Sequence, residues 1–266
     1  YQDPVSTYMT NIMGTVNILE AARSLNALKA IVIITSDKCY DNKEWMWGYR
    51  ESEAMGGMDP YSSSKGCAEL IINAYRNSFF NQASDRSVLV ASVRAGNVIG
   101  GGDCAMDRIL TDIVTSASNS SSVFLRSPGA TRPWQHVLEP LSGYLTIGWH
   151  LLTGKREFAE AWNFGPYAEN NVSVLELVKE AQKNWDKVNF DFDKGKHPHE
   201  AGSLMLDSTK AVKLLQWKPV WGFQKTVEKT ISWYKYYYEK GLITTEEILN
   251  EYISDAMKKD IKWSQV

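Results

Sequence analysis

The run Ala30-Ile31-Val32-Ile33-Ile34-Thr35 narrows most what this chain can fold into. Apolar and β-branched residues in unbroken succession, with no polar alternation, read as a strand covered on both faces. Such strands belong to parallel sheets flanked by helices. The run stands between two stretches of helical period. Over residues 5–25, Met9, Ile12, Met13, Val16, Ile18 and Leu19 fall at helical spacing, and residues 61–80 read as a second long helix. A second buried-strand pattern follows at 87–94. Strand, helix, strand in this order predicts an α/β fold with a doubly wound parallel sheet.

Beyond residue 100 the pattern is more irregular. Helices are expected at 106–118, 137–152 (closed by Thr153-Gly154), 173–185, 208–216, 223–239 and 244–258. Short strands are expected at 123–125 and 162–164. Ser173 with Glu176 three residues on forms a capping box. No internal repeat or low-complexity tract interrupts the chain.

Composition removes several classes of function. A net charge of −2 over 266 residues gives no bulk attraction to nucleic acid or an anionic membrane. No apolar run reaches membrane-spanning length, and the opening Tyr1-Gln2-Asp3-Pro4 lacks a signal-peptide pattern. Three scattered cysteines, Cys39, Cys67 and Cys104, have neither disulfide nor metal spacing and point to a reducing compartment, the cytoplasm. His197-Pro198-His199 offers two nitrogen ligands with no others near in sequence, so no metal site is expected.

The chemistry centres on Tyr61 and Lys65. Four-residue spacing at a helix start puts both on one face. A phenol is a weak base near neutrality, and an ammonium beside it favours the phenolate. The pair can take a proton from a sugar hydroxyl as hydride leaves the same carbon. By itself Tyr-x-x-x-Lys is a weak signal and is commonly surface decoration. Its context adds weight. The strand 30–35 runs directly into Ser36-Asp37-Lys38, and the carboxyl ends of parallel strands are where such folds bind ligands. Ser36 can share the substrate proton with Tyr61, and Asp37 and Lys38 are an adjacent acid and base. The plainer reading is a turn in which Asp37 caps the next segment and Lys38 is solvated.

Three long stretches make a family resemblance specific: Thr35-Ser36-Asp37-Lys38-Cys39-Tyr40-Asp41-Asn42-Lys43-Glu44-Trp45, Asp59-Pro60-Tyr61-Ser62-Ser63-Ser64-Lys65-Gly66-Cys67-Ala68-Glu69, and Ala130-Thr131-Arg132-Pro133-Trp134-Gln135-His136. With Gly96-Asn97-Val98-Ile99-Gly100-Gly101-Gly102-Asp103, Asp107-Arg108 and His197-Pro198-His199-Glu200-Ala201, they resemble the CDP-glucose 4,6-dehydratase family of NAD-dependent extended short-chain dehydrogenase/reductases. The resemblance covers nearly the whole chain. It departs at Cys104, where the family usually has Trp, and at Ala95, where Gly is usual.

The resemblance implies a Rossmann-like sheet and CDP-glucose as substrate. It implies Ser36, Asp37, Lys38, Tyr61 and Lys65 as catalytic residues, with Tyr61, Lys65 and Asn97 towards NAD. Asn97, Arg108, Arg132, Trp134 and Glu200 would contact the nucleotide sugar. Relatives acting on dTDP-glucose carry Glu at the position of Lys38, which makes this lysine the clue to the CDP-sugar branch. Residues 1–100 would be the remainder of an NAD-binding domain. Residues 101–266 would be largely a nucleotide-sugar-binding region, with segments returning to the sheet. A homo-oligomer is implied for the full-length protein, with no nucleic-acid or membrane partner. The family's glycine-rich NAD loop has no counterpart here, since Gly100-Gly101-Gly102 follows the wrong strand. Roughly a hundred further residues of such a fold are therefore expected before Tyr1. The 30–35 strand is expected at a sheet edge, and poor NAD+ binding is expected from the chain alone. A nucleotide-sugar 4-epimerase of the same fold and a non-catalytic nucleotide-sugar-binding fragment stand as alternatives. The first has no use for Asp37 and Lys38.

Overall fold

The computed structural model describes residues 3–80, 88–105, 108–193, 195 and 204–265. They form two compact units. Unit 1 comprises residues 1–96, 141–164 and 206–217, and unit 2 comprises 97–140, 165–205 and 218–266. Among the described residues no helix is long and apolar enough to cross a membrane.

Unit 1 is built on a parallel sheet whose strand order is Ala30–Ile34, Leu89–Arg94, Ala161–Asn163. Ala30 pairs with Leu89 and Ile34 with Val93, while Ser92 pairs with Ala161 on the other side. The central strand is wholly buried, as its buried-strand pattern predicts, with Ser92 and Arg94 buried along with its apolar residues. Among the described residues strand Ala30–Ile34 is at the sheet's edge, and Ile34 is 56% exposed. An edge position is what the sequence led us to expect of this strand.

Helices cover both faces, so the sheet is doubly wound. On one face Leu19, Ala22, Ile72 and Phe80 pack with Val90, Ile31 and Ile33. On the other, helix Leu138–Leu152 lies on the edge strand, where a Cβ at Gly148 would stand 3.8 Å from Val32 Cγ2.

The first helix runs through Pro4–Tyr8, a π-helical turn Met9–Met13, and Gly14–Arg23. Asp3 caps it by accepting from the Ser6 amide at 2.9 Å, and Pro4 takes the first-turn position that needs no N–H. Helix Pro60–Tyr75 starts the same way. The Asp59 carboxylate accepts from the amides of Tyr61 and Ser62, both at 3.0 Å. The expected 61–80 helix is therefore α-helical to Tyr75 and ends in a π-helical turn, Arg76–Phe80.

Unit 2 holds three two-stranded ladders. Val98–Ile99 pairs with Gln135–His136 and Ser122–Leu125 with Asn189–Phe192, both parallel. Thr131–Pro133 pairs antiparallel with Asn171–Ser173. Of these strands only 123–125 was legible, because stretches of two to four residues, many polar, carry no period to read. The helices sit within a residue or three of expectation, at Ile109–Ser118, Val174–Asn184, Phe223–Lys240 and Thr245–Lys258. The Ser173/Glu176 capping box forms. In unit 1 the expected 208–216 helix is present at residues 209–215, and its last five residues, Ala211–Leu215, form a π-helical turn closed by Gln216 in a left-handed conformation (φ 55°).

Two buried titratable groups anchor unit 2. The Glu139 carboxylate accepts from the amides of Val220 and Trp221 at 2.9 and 2.7 Å and from the Tyr252 hydroxyl at 2.9 Å. Burial pushes its pKa up to about 7. The stability it contributes is thus complete below its unfolded pKa and fades as pH rises towards 7. Next to it, His136 packs edge-on against Trp221 at 5.0 Å, and its Nδ1 accepts from the Leu138 amide at 3.3 Å. Burial pushes the His136 pKa down to about 4. Its contribution has the opposite sign: present above the unfolded value of 6.5, lost as pH falls towards 4. The wild-type protein should therefore lose about 3 kcal/mol between neutrality and about pH 4 relative to a His136→Asn variant, whose amide never titrates. Chemical denaturation of both proteins across that range measures the difference. A constant gap between them would show that His136 is not held neutral.

Candidate functional site

The residues singled out in unit 1 come from one strand end and one helix. Parallel pairing continues past strand Ala30–Ile34, since the Thr35 amide donates to Val93 O at 2.9 Å and the Asp37 amide to Ala95 O at 3.1 Å. The chain then tightens into a 3₁₀ turn, Asp37–Cys39. The sequence allowed a cap at Asp37. The structure gives the cap to Ser36, whose hydroxyl accepts from the Lys38 amide at 3.2 Å and donates to Asp37 Oδ1 at 3.0 Å. Ser36 and Asp37 are buried, and Lys38 is half-buried.

This turn packs directly on helix Pro60–Tyr75. A Cβ on Gly66 would stand 3.1 Å from Cys39 O, so a glycine next to Lys65 is what admits the turn. On the same helix the Lys65 ammonium lies 5.8 Å from the centre of the Tyr61 ring. Burial lowers the Lys65 pKa, while Tyr61 stays 48% exposed. Serines on this helix tie it to the first helix. Asn11 Nδ2 donates to Ser64 Oγ at 2.9 Å, and the Tyr8 and Ser63 hydroxyls are 2.8 Å apart. Between the two helices and the strand edge opens a cavity of about 300 Å³, whose walls include Asn11, Thr15, Ile34, Thr35 and Lys65.

Sequence reading passed over several of these residues. Gly96 lies against Asp37, where a Cβ would stand 2.0 Å from Oδ2. Thr35, Glu69 and Arg94 were not singled out either, yet they form a buried polar network behind the turn. A charged residue inside an otherwise apolar strand, Arg94, was the available signal.

In unit 2, Asn97 adopts a left-handed conformation (φ 49°), and its carbonyl accepts from the Gln135 amide at 3.3 Å. Asparagine tolerates that region better than most residues. Arg108 is exposed at the N-terminus of helix Ile109–Ser118. Arg132 is buried in strand Thr131–Pro133, where Nη1 donates to Thr131 O at 2.8 Å. Trp134 belongs to the apolar core, its indole N–H donating to Val172 O at 3.2 Å. The Gly100–Asp103 loop has a scaffold that sequence reading missed: the Tyr234 hydroxyl donates to Gly100 O at 3.2 Å and Asp103 O at 2.8 Å. Asp107, His197, His199 and Glu200 lie outside the described residues.

The family model for GDP-mannose 4,6 dehydratase matches residues 1–230. The CDP-glucose 4,6-dehydratase of Salmonella typhimurium is 50% identical over 259 residues, 96% of this chain and 72% of that protein. The chain belongs to this dehydratase family. Among solved structures, a dTDP-glucose 4,6-dehydratase from Bacillus anthracis in complex with NAD superposes with a TM-score of 0.70 at 23% identity, over 88% of this chain and 70% of that one. UDP-glucuronic acid 4-epimerase from Bacillus cereus, in complex with UDP-glucuronic acid and NAD, gives 0.72 at 21%, over 85% and 68%. At those identities the likeness shows the fold: dehydratases and epimerases share it, and the sequence match to the Salmonella dehydratase favours the former.

Proposed function

We propose that this protein is an NAD-dependent CDP-glucose 4,6-dehydratase, converting CDP-glucose to CDP-4-keto-6-deoxyglucose. The observation that carries the reading is the Ser36-Asp37-Lys38 turn seated on the Tyr61–Lys65 helix, in a chain half identical to a CDP-glucose 4,6-dehydratase. On the helix of Tyr61, the half-buried Lys65 ammonium is a hydrogen-bond donor suited to the nicotinamide-ribose end of the cofactor. NAD, when bound, takes the C4 hydride and returns it to C6.

This chain's own residues handle the protons. Tyr61, its phenolate favoured by Lys65, takes the proton from the 4-hydroxyl, with Ser36 sharing it. The 4-keto group so formed acidifies the C5 hydrogen. Lys38 removes that proton, and Asp37 gives one to the departing 6-hydroxyl, which leaves as water. A proton then returns to C5 as hydride reaches C6. Asp37 and Lys38 are adjacent in sequence, so one rigid turn presents acid and base to neighbouring carbons. In unit 2 we assign Asn97, Arg108, Arg132 and Trp134 to the nucleotide diphosphate and sugar, with Glu200 towards the ribose. Arginine suits a diphosphate because its planar fork donates in pairs. Residues 1–100 supply the NAD side and 101–266 largely the nucleotide side. A cytoplasmic setting, assembly as a homo-oligomer and a role in deoxysugar and O-antigen synthesis accord with the reading.

Supplied with NAD+ and CDP-glucose in deuterated water, the protein carrying this chain should release a 4-keto sugar lighter by one water and labelled at C5. Mass spectrometry of the product decides. An unlabelled 4-epimer of unchanged composition would replace this reading with the epimerase.

A further inference from the structure

The turn that holds Ser36, Asp37 and Lys38 is gripped at both ends by a single buried ion pair. Glu69 and Arg94 are 3% and 4% exposed at their side chains, and they meet through two bonds: Arg94 Nε to Glu69 Oε1 at 2.8 Å and Nη2 to Oε2 at 2.7 Å. Glu69 lies on the helix of Tyr61 and Lys65, one turn beyond the lysine. Its Oε1 also accepts from the Thr35 hydroxyl at 2.5 Å, immediately before Ser36. Its Oε2 accepts from Ser92 Oγ at 2.8 Å, on the central strand. From the other side, Arg94 Nη1 donates to the Tyr40 hydroxyl at 2.6 Å, immediately after the turn. Tyr40 in turn donates to Asn163 Oδ1 at 2.8 Å, at the end of the third strand. Every hydrogen-bonding position of the carboxylate that these bonds occupy is spent on holding the turn, the helix and the sheet in one register.

A buried ion pair is a poor device for stability alone, because desolvating both charges offsets most of their attraction. Its directional bonds, in contrast, tolerate only one geometry. We propose that Glu69 and Arg94 are positioning residues that set the Ser36-Asp37-Lys38 turn against Tyr61 and Lys65, acting through the hydroxyls of Thr35 and Tyr40. The proposal rests on the dehydratase reading for what the turn does, and on unit 1 geometry alone for how it is held.

Two substitutions cut the grip and leave the ion pair whole. Thr35→Val removes one hydroxyl with little change of shape, and Tyr40→Phe removes the other. Each should lower kcat about tenfold with KM for CDP-glucose within about twofold, the pattern of a lost transition-state arrangement. Thr35→Ser should restore kcat. Hydrogen exchange supplies a readout independent of substrate: the amides of Asp37 and Cys39, bonded to Ala95 O and Ser36 O, should exchange at least tenfold faster in both variants, while the strand Leu89–Arg94 stays protected. Unchanged exchange at the turn in both variants overturns the proposal whatever the substrate proves to be. So does full kcat in both variants of an active enzyme. A wild-type protein that carries this chain together with the glycine-rich NAD portion and binds NAD+, yet leaves CDP-glucose unchanged while its turn loosens in the variants, refutes the dehydratase reading and upholds the grip.

Discussion

Tyr61→Phe should reduce turnover of CDP-glucose on the order of a hundredfold or more, because it deletes the group that takes the 4-hydroxyl proton. The loss can be read as chemistry and not as misfolding. Tyr61 is 48% exposed and lies outside the core, and the bonds that start its helix run from backbone amides to Asp59, so none depends on the phenol. The Lys65 ammonium remains, and Ser36 keeps its bonds to Asp37 and the Lys38 amide. Thermal melting should therefore be nearly unchanged and CDP-glucose affinity retained, with the deficit in kcat. Turnover within a few-fold of wild type would remove Tyr61 from the mechanism.

Gly96→Ala should be as damaging for a steric reason. The added methyl would stand 2.0 Å from Asp37 Oδ2 and 2.4 Å from its Cγ, well inside van der Waals contact. Neither partner has room to withdraw. Asp37 is 3% exposed, and its amide is bonded at 3.1 Å to the carbonyl of Ala95, the residue before the glycine. The carboxyl group must rotate away from the position where it serves the leaving hydroxyl. We expect about a hundredfold loss of kcat, from the misplaced acid, with about 1–3 kcal/mol of destabilisation from overpacking. The double variant Gly96→Ala/Asp37→Ala separates the two effects. Removing the carboxylate relieves the clash, so stability should return while activity stays low. Two destabilisations that simply add would mean the residues do not collide.

Much of unit 1 could be read directly. The buried-strand pattern of 30–35 and 87–94, the helical period over 5–25 and 61–80, and the position of Ser36-Asp37-Lys38 at a strand's carboxyl end are local properties, expressed within each segment. The motifs Thr35 to Trp45 and Asp59 to Glu69 were long enough to point to the family before any coordinate. Unit 2 was legible in its helices, whose 3.6-residue period extends over several turns, and in the Ser173/Glu176 capping box. Its two- and three-residue strands were not, since pairing partners as far apart as Val98 and Gln135 leave no mark in either segment.

What the sequence determined by itself was the kind of structure and the chemical groups: an α/β chain carrying a phenol, an ammonium, a carboxylate and a hydroxyl at spacings suited to proton transfer on a sugar. The tertiary structure decided how those groups are held. That Gly96 leaves space for the Asp37 carboxylate, and that Arg94 reaches Glu69 and Tyr40 at once, depend on residues 25 to 60 positions apart meeting in three dimensions. Periodicity and propensity describe each segment's preference for its own backbone. They are silent on which distant side chain will fill the space beside it, because burial and hydrogen bonding inside a packed core are settled only when the segments come together.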